Sequence, residues 1–168
     1  MPEVFLSIGS NIDRERHIPS ALAELERRFG PLTASSTYET AAVGFEGPAF
    51  HNLVVAFATE LPIAEIARIL TEIEEMHGRT RQCHKFSSRT LDLDLLLYGD
   101  MVGEEGRHKL PRDEILRYAF VLEPLAEIAP DLKHPLADQR YADLWAAFDK
   151  TGLAQTRLHQ ADAQRFSI

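Results

Sequence analysis

The run Arg89-Thr90-Leu91-Asp92-Leu93-Asp94-Leu95-Leu96-Leu97 carries both a fold signal and a chemical one. Read as a β-strand, residues two apart share a face, so Leu91, Leu93, Leu95 and Leu97 point toward a core. Asp92 and Asp94 then point the other way, their Cα atoms about 6.5–7 Å apart along the strand. Like charges that close repel unless a cation or a shared proton relieves them. Just upstream lie Arg79, Arg81, Lys85 and Arg89. Carboxylates able to hold Mg²⁺, beside cations able to grip phosphate oxygens, point to a nucleotide-phosphate site. On the run alone, a half-exposed strand with solvated aspartates, or a pair neutralised by Arg89, stands as the plainer alternative.

Working outward, the preceding segments give the order of elements. Val4 to Ile8 reads as a first strand, closed by the turn sequence Gly9-Ser10-Asn11. Ile18, Ala21, Leu22, Leu25 and Phe29 recur at helical spacing, and Gly30-Pro31 stops that helix. Leu32 to Thr40 and Phe50 to Thr59 are the second and third strands, with a glycine-containing loop between them. Pro62 opens a second helix with its apolar stripe at Ile63, Ile66, Ile69, Leu70 and Ile73, and Gly78 ends it. The aspartate strand follows. The order β-α-β-β-α-β is the ferredoxin-like split pattern, an α+β fold with an antiparallel sheet and its helices on one face. The other face is left to solvent or loops. Beyond Gly99 the chain is less regular. Tyr118 to Ile128 is apolar enough to pack, Tyr141 to Phe148 is a short amphipathic helix, and 151–168 is a surface tail on a core of about 1–130. One domain is expected over 1–168.

Bulk properties narrow the function. No apolar run approaches the roughly 18 residues needed to span a bilayer, and the N-terminal segment enters a strand without a basic region and cleavable apolar stretch. The single Cys83 cannot form an internal disulfide. A cytoplasmic protein is expected. The formal charge of -8 disfavours nucleic acid and anionic membranes, which are bound by neutralising phosphates. A small cationic segment on an acidic body suits a compact anionic ligand.

Four stretches together resemble the 6-hydroxymethyl-7,8-dihydropterin pyrophosphokinase family. They are Leu6-Ser7-Ile8-Gly9-Ser10-Asn11, Tyr38-Glu39-Thr40 with Val43-Gly44, Phe50-His51-Asn52, and Arg89-Thr90-Leu91-Asp92-Leu93-Asp94. The resemblance covers about the first 130 residues. It implies transfer of the terminal diphosphate of ATP to the pterin's hydroxymethyl oxygen, leaving AMP, in the service of folate biosynthesis. It also implies two Mg²⁺ ions on Asp92 and Asp94, with catalytic Arg79 and Arg89 closing over the phosphates. Glu74, Arg81, Phe86, Leu95, Arg107 and Arg112 join those arginines as ATP contacts. Thr40, Val43, Phe50, Asn52, Asp92 and Phe120 are the implied pterin contacts, with Phe50 and Phe120 sandwiching the ring. The expected partners are pterin and ATP, and the expected unit is a monomer.

The sequence departs from the family in the nucleotide half. Arg112 and Asp113 follow Pro111 where a histidine is usual. Phe86-Ser87-Ser88-Arg89 replaces a Trp-Gly-Pro-Arg pattern, and Ala41-Ala42 replaces Pro-Pro. A non-catalytic pterin or nucleotide binding module, and the same chemistry on a different modified pterin, remain as rival readings.

Overall fold

The computed structural model describes residues 1–41, 48–78 and 91–158. Val43, Arg79, Arg81, Lys85, Phe86 and Arg89 lie outside the described residues.

The sheet grows around β1 (Glu3–Ser10), whose residues from Val4 onward are all buried because both of its faces are covered. It pairs antiparallel with β4 (Phe50–Ala58) on one side and β5 (Asp92–Tyr98) on the other. The strand expected over Leu32 to Thr40 is split in two: β2 (Thr33–Ala34) and β3 (Tyr38–Thr40) pair with β4 at separate places. The resulting order, β5-β1-β4-β3, is that of a ferredoxin-like sheet.

Two amphipathic helices cover one face, as their periodicity requires. α1 (Arg14–Phe29) buries Ile18, Ala21, Leu22 and Leu25; α2 (Ile63–Met76) buries Ile63, Ile66, Ile69, Leu70 and Ile73. They meet Val4, Leu6 and Ile8 of β1, Leu91 just before β5, and Leu93 and Leu95 of β5 in one core. Gly30, at φ 90°, ends α1 in a backbone conformation that favours glycine.

The opposite face is covered too. After the hairpin of β6 (Gly103–Glu105) and β7 (His108–Leu110) come α3 (Glu114–Arg117), α4 (Ala119–Ile128) and α5 (Tyr141–Ala147). Ile115, Val121, Leu122, Leu125 and Tyr141 from these helices pack on Phe5, Val54 and Ala56. The segment from 151, expected as a surface tail, instead contributes β8 (Gln155–Arg157), which pairs with β3 and extends the sheet. Gln155 also donates to the Ala119 carbonyl and to Glu123, tying that strand to the start of α4. No helix among the described residues is long and apolar enough to cross a membrane.

One expectation about β5 is corrected. The register with β1 shifts between Phe5 and Leu6, so Phe5 faces Leu97 while Leu6 faces Leu95. Leu96 is the extra residue of a β-bulge, which reverses the alternation. Leu97 therefore joins Leu96 in the α3–α5 core and does not follow Leu95 toward α2.

The break between β2 and β3 has a cause far away in the chain. Glu127 of α4 accepts the Ser36 amide, the Ser36 hydroxyl at 2.8 Å and the Tyr38 hydroxyl at 2.6 Å. The Ser35 hydroxyl meanwhile accepts the Val54 N–H. Side chains thus satisfy backbone groups that a continuous strand would have paired. Burial and the neighbouring Glu127 carboxylate both push the Tyr38 phenol up, keeping it a neutral donor. Glu127→Ala should cost about 2–3 kcal/mol in urea unfolding, because several donors lose one acceptor together. A loss below a few tenths of a kcal/mol would show that water replaces the carboxylate freely.

Candidate functional site

Antiparallel pairing puts directly opposed residues on one face, so the register assembles the site row by row. Gly9 of β1 faces Asp92 on one side and Asn52 on the other; Ser7 faces Asp94 and Val54. Asn52 in turn faces Tyr38, and Phe50 faces Thr40. Since Leu91, Leu93 and Leu95 face the α1–α2 core, this row of polar groups belongs to the face that α4 covers further along. The structure therefore brings Asp92, Asp94, Asn52, Phe50 and Thr40 to one end of a single sheet face.

Gly9 is the centre of the row. It lies inside β1, not in a turn as its Gly-Ser-Asn sequence suggested. A Cβ placed there would sit 2.9 Å from Asn52 Oδ1, so the bare backbone makes the space between carboxylate and amide. Asn52 is almost fully buried and donates from Nδ2 to Thr40 Oγ1 at 2.8 Å. The strand end that carries Phe50 is pinned by side chains to which the sequence assigned no such role. Asn11 donates to the Pro48 carbonyl, Arg14 donates to the Ala49 carbonyl, and His51 meets Glu39 at 3.1 Å.

Asp94 is the electrostatic focus. Desolvation first, and then the Asp92 charge, push its pKa up to about 7; Arg112 acts against them, while Glu74 and Glu114 add to the rise. Arg112 Nη2 lies 3.5 Å from Asp94 Oδ1, and its Nε lies 2.5 Å from Glu114 Oε2. The backbone N–H of Arg112 donates to the carbonyl of the bulged Leu96. Glu114 was not legible as a site residue, because only the fold brings α3 against β5.

Other expected contacts sit differently. Leu95 is 1% exposed, with its side chain packed in the α1–α2 core, so any contact it makes with a nucleotide falls to its backbone. Glu74 Oε2 accepts the Leu93 N–H at 2.8 Å, which makes it a support for β5. Arg107 occupies the exposed turn between β6 and β7. Phe120, in the first turn of α4, stacks on Tyr118 with ring centroids 5.0 Å apart.

Among the described residues, no group of three or more His, Cys, Asp or Glu side chains is arranged to hold a metal. A pair of carboxylates still fits Mg²⁺, which takes one or two and fills its remaining positions with water and phosphate oxygens.

The family model described as 7,8-dihydro-6-hydroxymethylpterin-pyrophosphokinase (HPPK) matches residues 5–130. The chain belongs to this family. A 2-amino-4-hydroxy-6-hydroxymethyldihydropteridine pyrophosphokinase of Synechocystis is 36% identical over 149 residues, 88% of this chain and 74% of that protein. The protein of the same name from Pseudomonas aeruginosa is 37% identical over 136 residues, 79% of this chain and 83% of its own. A crystal structure of Plasmodium falciparum HPPK-DHPS with pteroate superposes with a TM-score of 0.71 at 14% identity, a likeness of fold. That match covers 86% of this chain and 42% of the HPPK-DHPS chain, so the chain spans less than half the length of that solved relative.

The raised pKa of Asp94 has a consequence for stability without metal. Between the ordinary value of 3.8 and about 7, the folded chain holds a proton that the unfolded chain has released. Stability from this group therefore falls as pH rises through that window. In metal-free buffer, Asp94→Asn should raise the thermal midpoint more at pH 7.5 than at pH 4.5. An equal effect at both pH values would refute the raised pKa of Asp94.

Proposed function

We infer that this HPPK-family chain transfers the diphosphate of ATP to the hydroxymethyl group of 6-hydroxymethyl-7,8-dihydropterin, giving AMP and the pterin diphosphate used in folate biosynthesis. The observation that carries the reading is the row Asp92–Gly9–Asn52. It sets a metal-competent carboxylate and a heterocycle-recognising amide on either side of one bare residue. ATP is the co-substrate, and pterin and ATP are the partners of a single working chain.

In this reading Asn52 holds the pterin edge. Its amide presents both donor and acceptor, and the bond to Thr40 fixes its orientation. Phe50 and Phe120 supply aromatic faces for the ring, and Val43 a further contact. Asp92 and Asp94 are the groups that would hold two Mg²⁺ ions. Bound there, Mg²⁺ supplies charge neutralisation for the triphosphate and favours loss of the hydroxyl proton. The hydroxymethyl oxygen forms its new bond to the β-phosphorus, and the bond from that phosphorus to the α-phosphate's bridging oxygen breaks. AMP leaves with the bonding pair, and the hydroxyl proton passes to solvent.

Arg79 and Arg89, assigned by their positions in the sequence, grip the phosphate oxygens where negative charge accumulates. Arg81, Phe86, Arg107 and Arg112 complete the nucleotide side, and Glu74 holds β5 beside it. Positioning and electrostatics carry most of such a transfer, so the lack of an evident general base among the described residues is no obstacle.

The test is to supply Mg²⁺, ATP and 6-hydroxymethyl-7,8-dihydropterin and identify the nucleotide product. AMP should appear only with the pterin; ADP would place the attack on the wrong phosphorus. Asp92→Ala or Asp94→Ala should lower turnover by about a hundredfold or more while the far-UV circular dichroism is kept.

Asn52→Ala should raise KM for the pterin by about tenfold while leaving KM for ATP within about twofold. Gly9→Ala should move the same constant in the same direction, because the new methyl displaces the amide. If Gly9→Ala changed only the ATP constant, the cleft between Asp92 and Asn52 would belong to the nucleotide.

A further inference from the structure

Arg112 stands out because three separate contacts hold it in place. Its backbone N–H is fixed on the carbonyl of the Leu96 bulge, its Nε on Glu114 at 2.5 Å, and its Nη2 reaches Asp94 at 3.5 Å. The two side-chain contacts are unequal. The Glu114 contact is as short as a charge-assisted hydrogen bond, whereas the Asp94 contact is about half an ångström or more beyond that range. Arg112 is thus tethered by Glu114 and only lightly engaged by Asp94. A guanidinium keeps its charge at every physiological pH, so the contact cannot be lost by deprotonation.

The surroundings explain why a cation stands there. The charges of Asp92, Glu74 and Glu114 all act on Asp94, against Arg112. We propose that Arg112 is the resident counter-cation of Asp94, supplying positive charge before the divalent metal arrives and so weakening the site's affinity for metal alone. The inference rests on the assignment of Asp92 and Asp94 as metal carboxylates. When metal and triphosphate arrive together, Asp94 exchanges one cation for another. Arg112, still tethered to Glu114, keeps donors for phosphate oxygens. The site therefore favours loading by a metal–nucleotide complex over loading by the bare ion.

The experiment is a titration of nucleotide-free protein with Mn²⁺, followed by the electron paramagnetic resonance signal of the free ion. Arg112→Gln should tighten Mn²⁺ binding by about tenfold, the order expected from removing one unit charge near a partly exposed carboxylate. Arg112→Lys, which keeps the charge but not the fork, should bind Mn²⁺ within about twofold of the parent chain. Lys109→Gln removes an exposed charge paired with Asp113 and should also change little.

With a non-hydrolysable ATP analogue present, the advantage of Arg112→Gln should shrink or reverse. Unchanged or weaker Mn²⁺ binding by Arg112→Gln, in a variant whose circular dichroism matches the parent's, would overturn the inference. A different failure marks the underlying assignment: if Asp94→Asn binds Mn²⁺ as tightly as the parent chain, these carboxylates are not the metal site.

Discussion

The site depends on one constraint, the phase of β5. A strand that buries Leu91, Leu93 and Leu95 against two helices has no choice about where its intervening residues point. Asp92 and Asp94 are forced together on the opposite face, and the apolar burial of their neighbours offsets the repulsion. A slip of one residue would put both carboxylates into the α1–α2 core, where an unpaired charge is prohibitive. The carboxylate pair is thus held by hydrophobic packing, although it contributes little to that packing itself.

The bulge at Leu96 turns this edge strand into a junction. By reversing the alternation it lets β5 feed the second core through Leu96 and Leu97. The same irregularity leaves the Leu96 carbonyl to accept the Arg112 amide, bringing α3 and Glu114 beside Asp94. A local defect in one strand thereby joins the two hydrophobic layers and sets the charge environment of the carboxylates. Glu74 does the complementary work from the other layer, by accepting the Leu93 amide.

The features legible in sequence are those governed by period. The stripe of α2 emerged residue for residue and that of α1 at Ile18, Ala21, Leu22 and Leu25, because a 3.6-residue repeat needs no knowledge of the partner; the buried His17 was missed, and Phe29 is only partly buried. Asp92, Asp94 and Asn52 were legible through their motifs, and the register then set them around Gly9. What escaped depends on contacts between distant segments. Glu127 breaks the second strand from 91 residues away, β8 pairs with a strand more than a hundred residues earlier, and Glu114 is linked to the bulge of β5 through Arg112. Gly9 was misread as part of a turn for a similar reason. Nothing in Gly-Ser-Asn says that the reason for glycine is the Oδ1 of Asn52 across the ladder.

The retained and the altered residues of the site fall at mechanically different places in the fold. The Asp92–Gly9–Asn52 row runs across three neighbouring strands with Gly9 at its centre, so its geometry is set by the ladders on either side of β1. Arg112 hangs from the outer edge of β5, held by one backbone bond and a side-chain pair, where a different residue can be carried without repacking a core. Variation at this position is therefore cheap for the fold and consequential for charge. A histidine there would bring a positive charge that comes and goes near neutral pH; arginine makes it permanent. The chain keeps the geometry that chemistry demands on its rigid strands, and alters the electrostatics of loading on an edge that tolerates change.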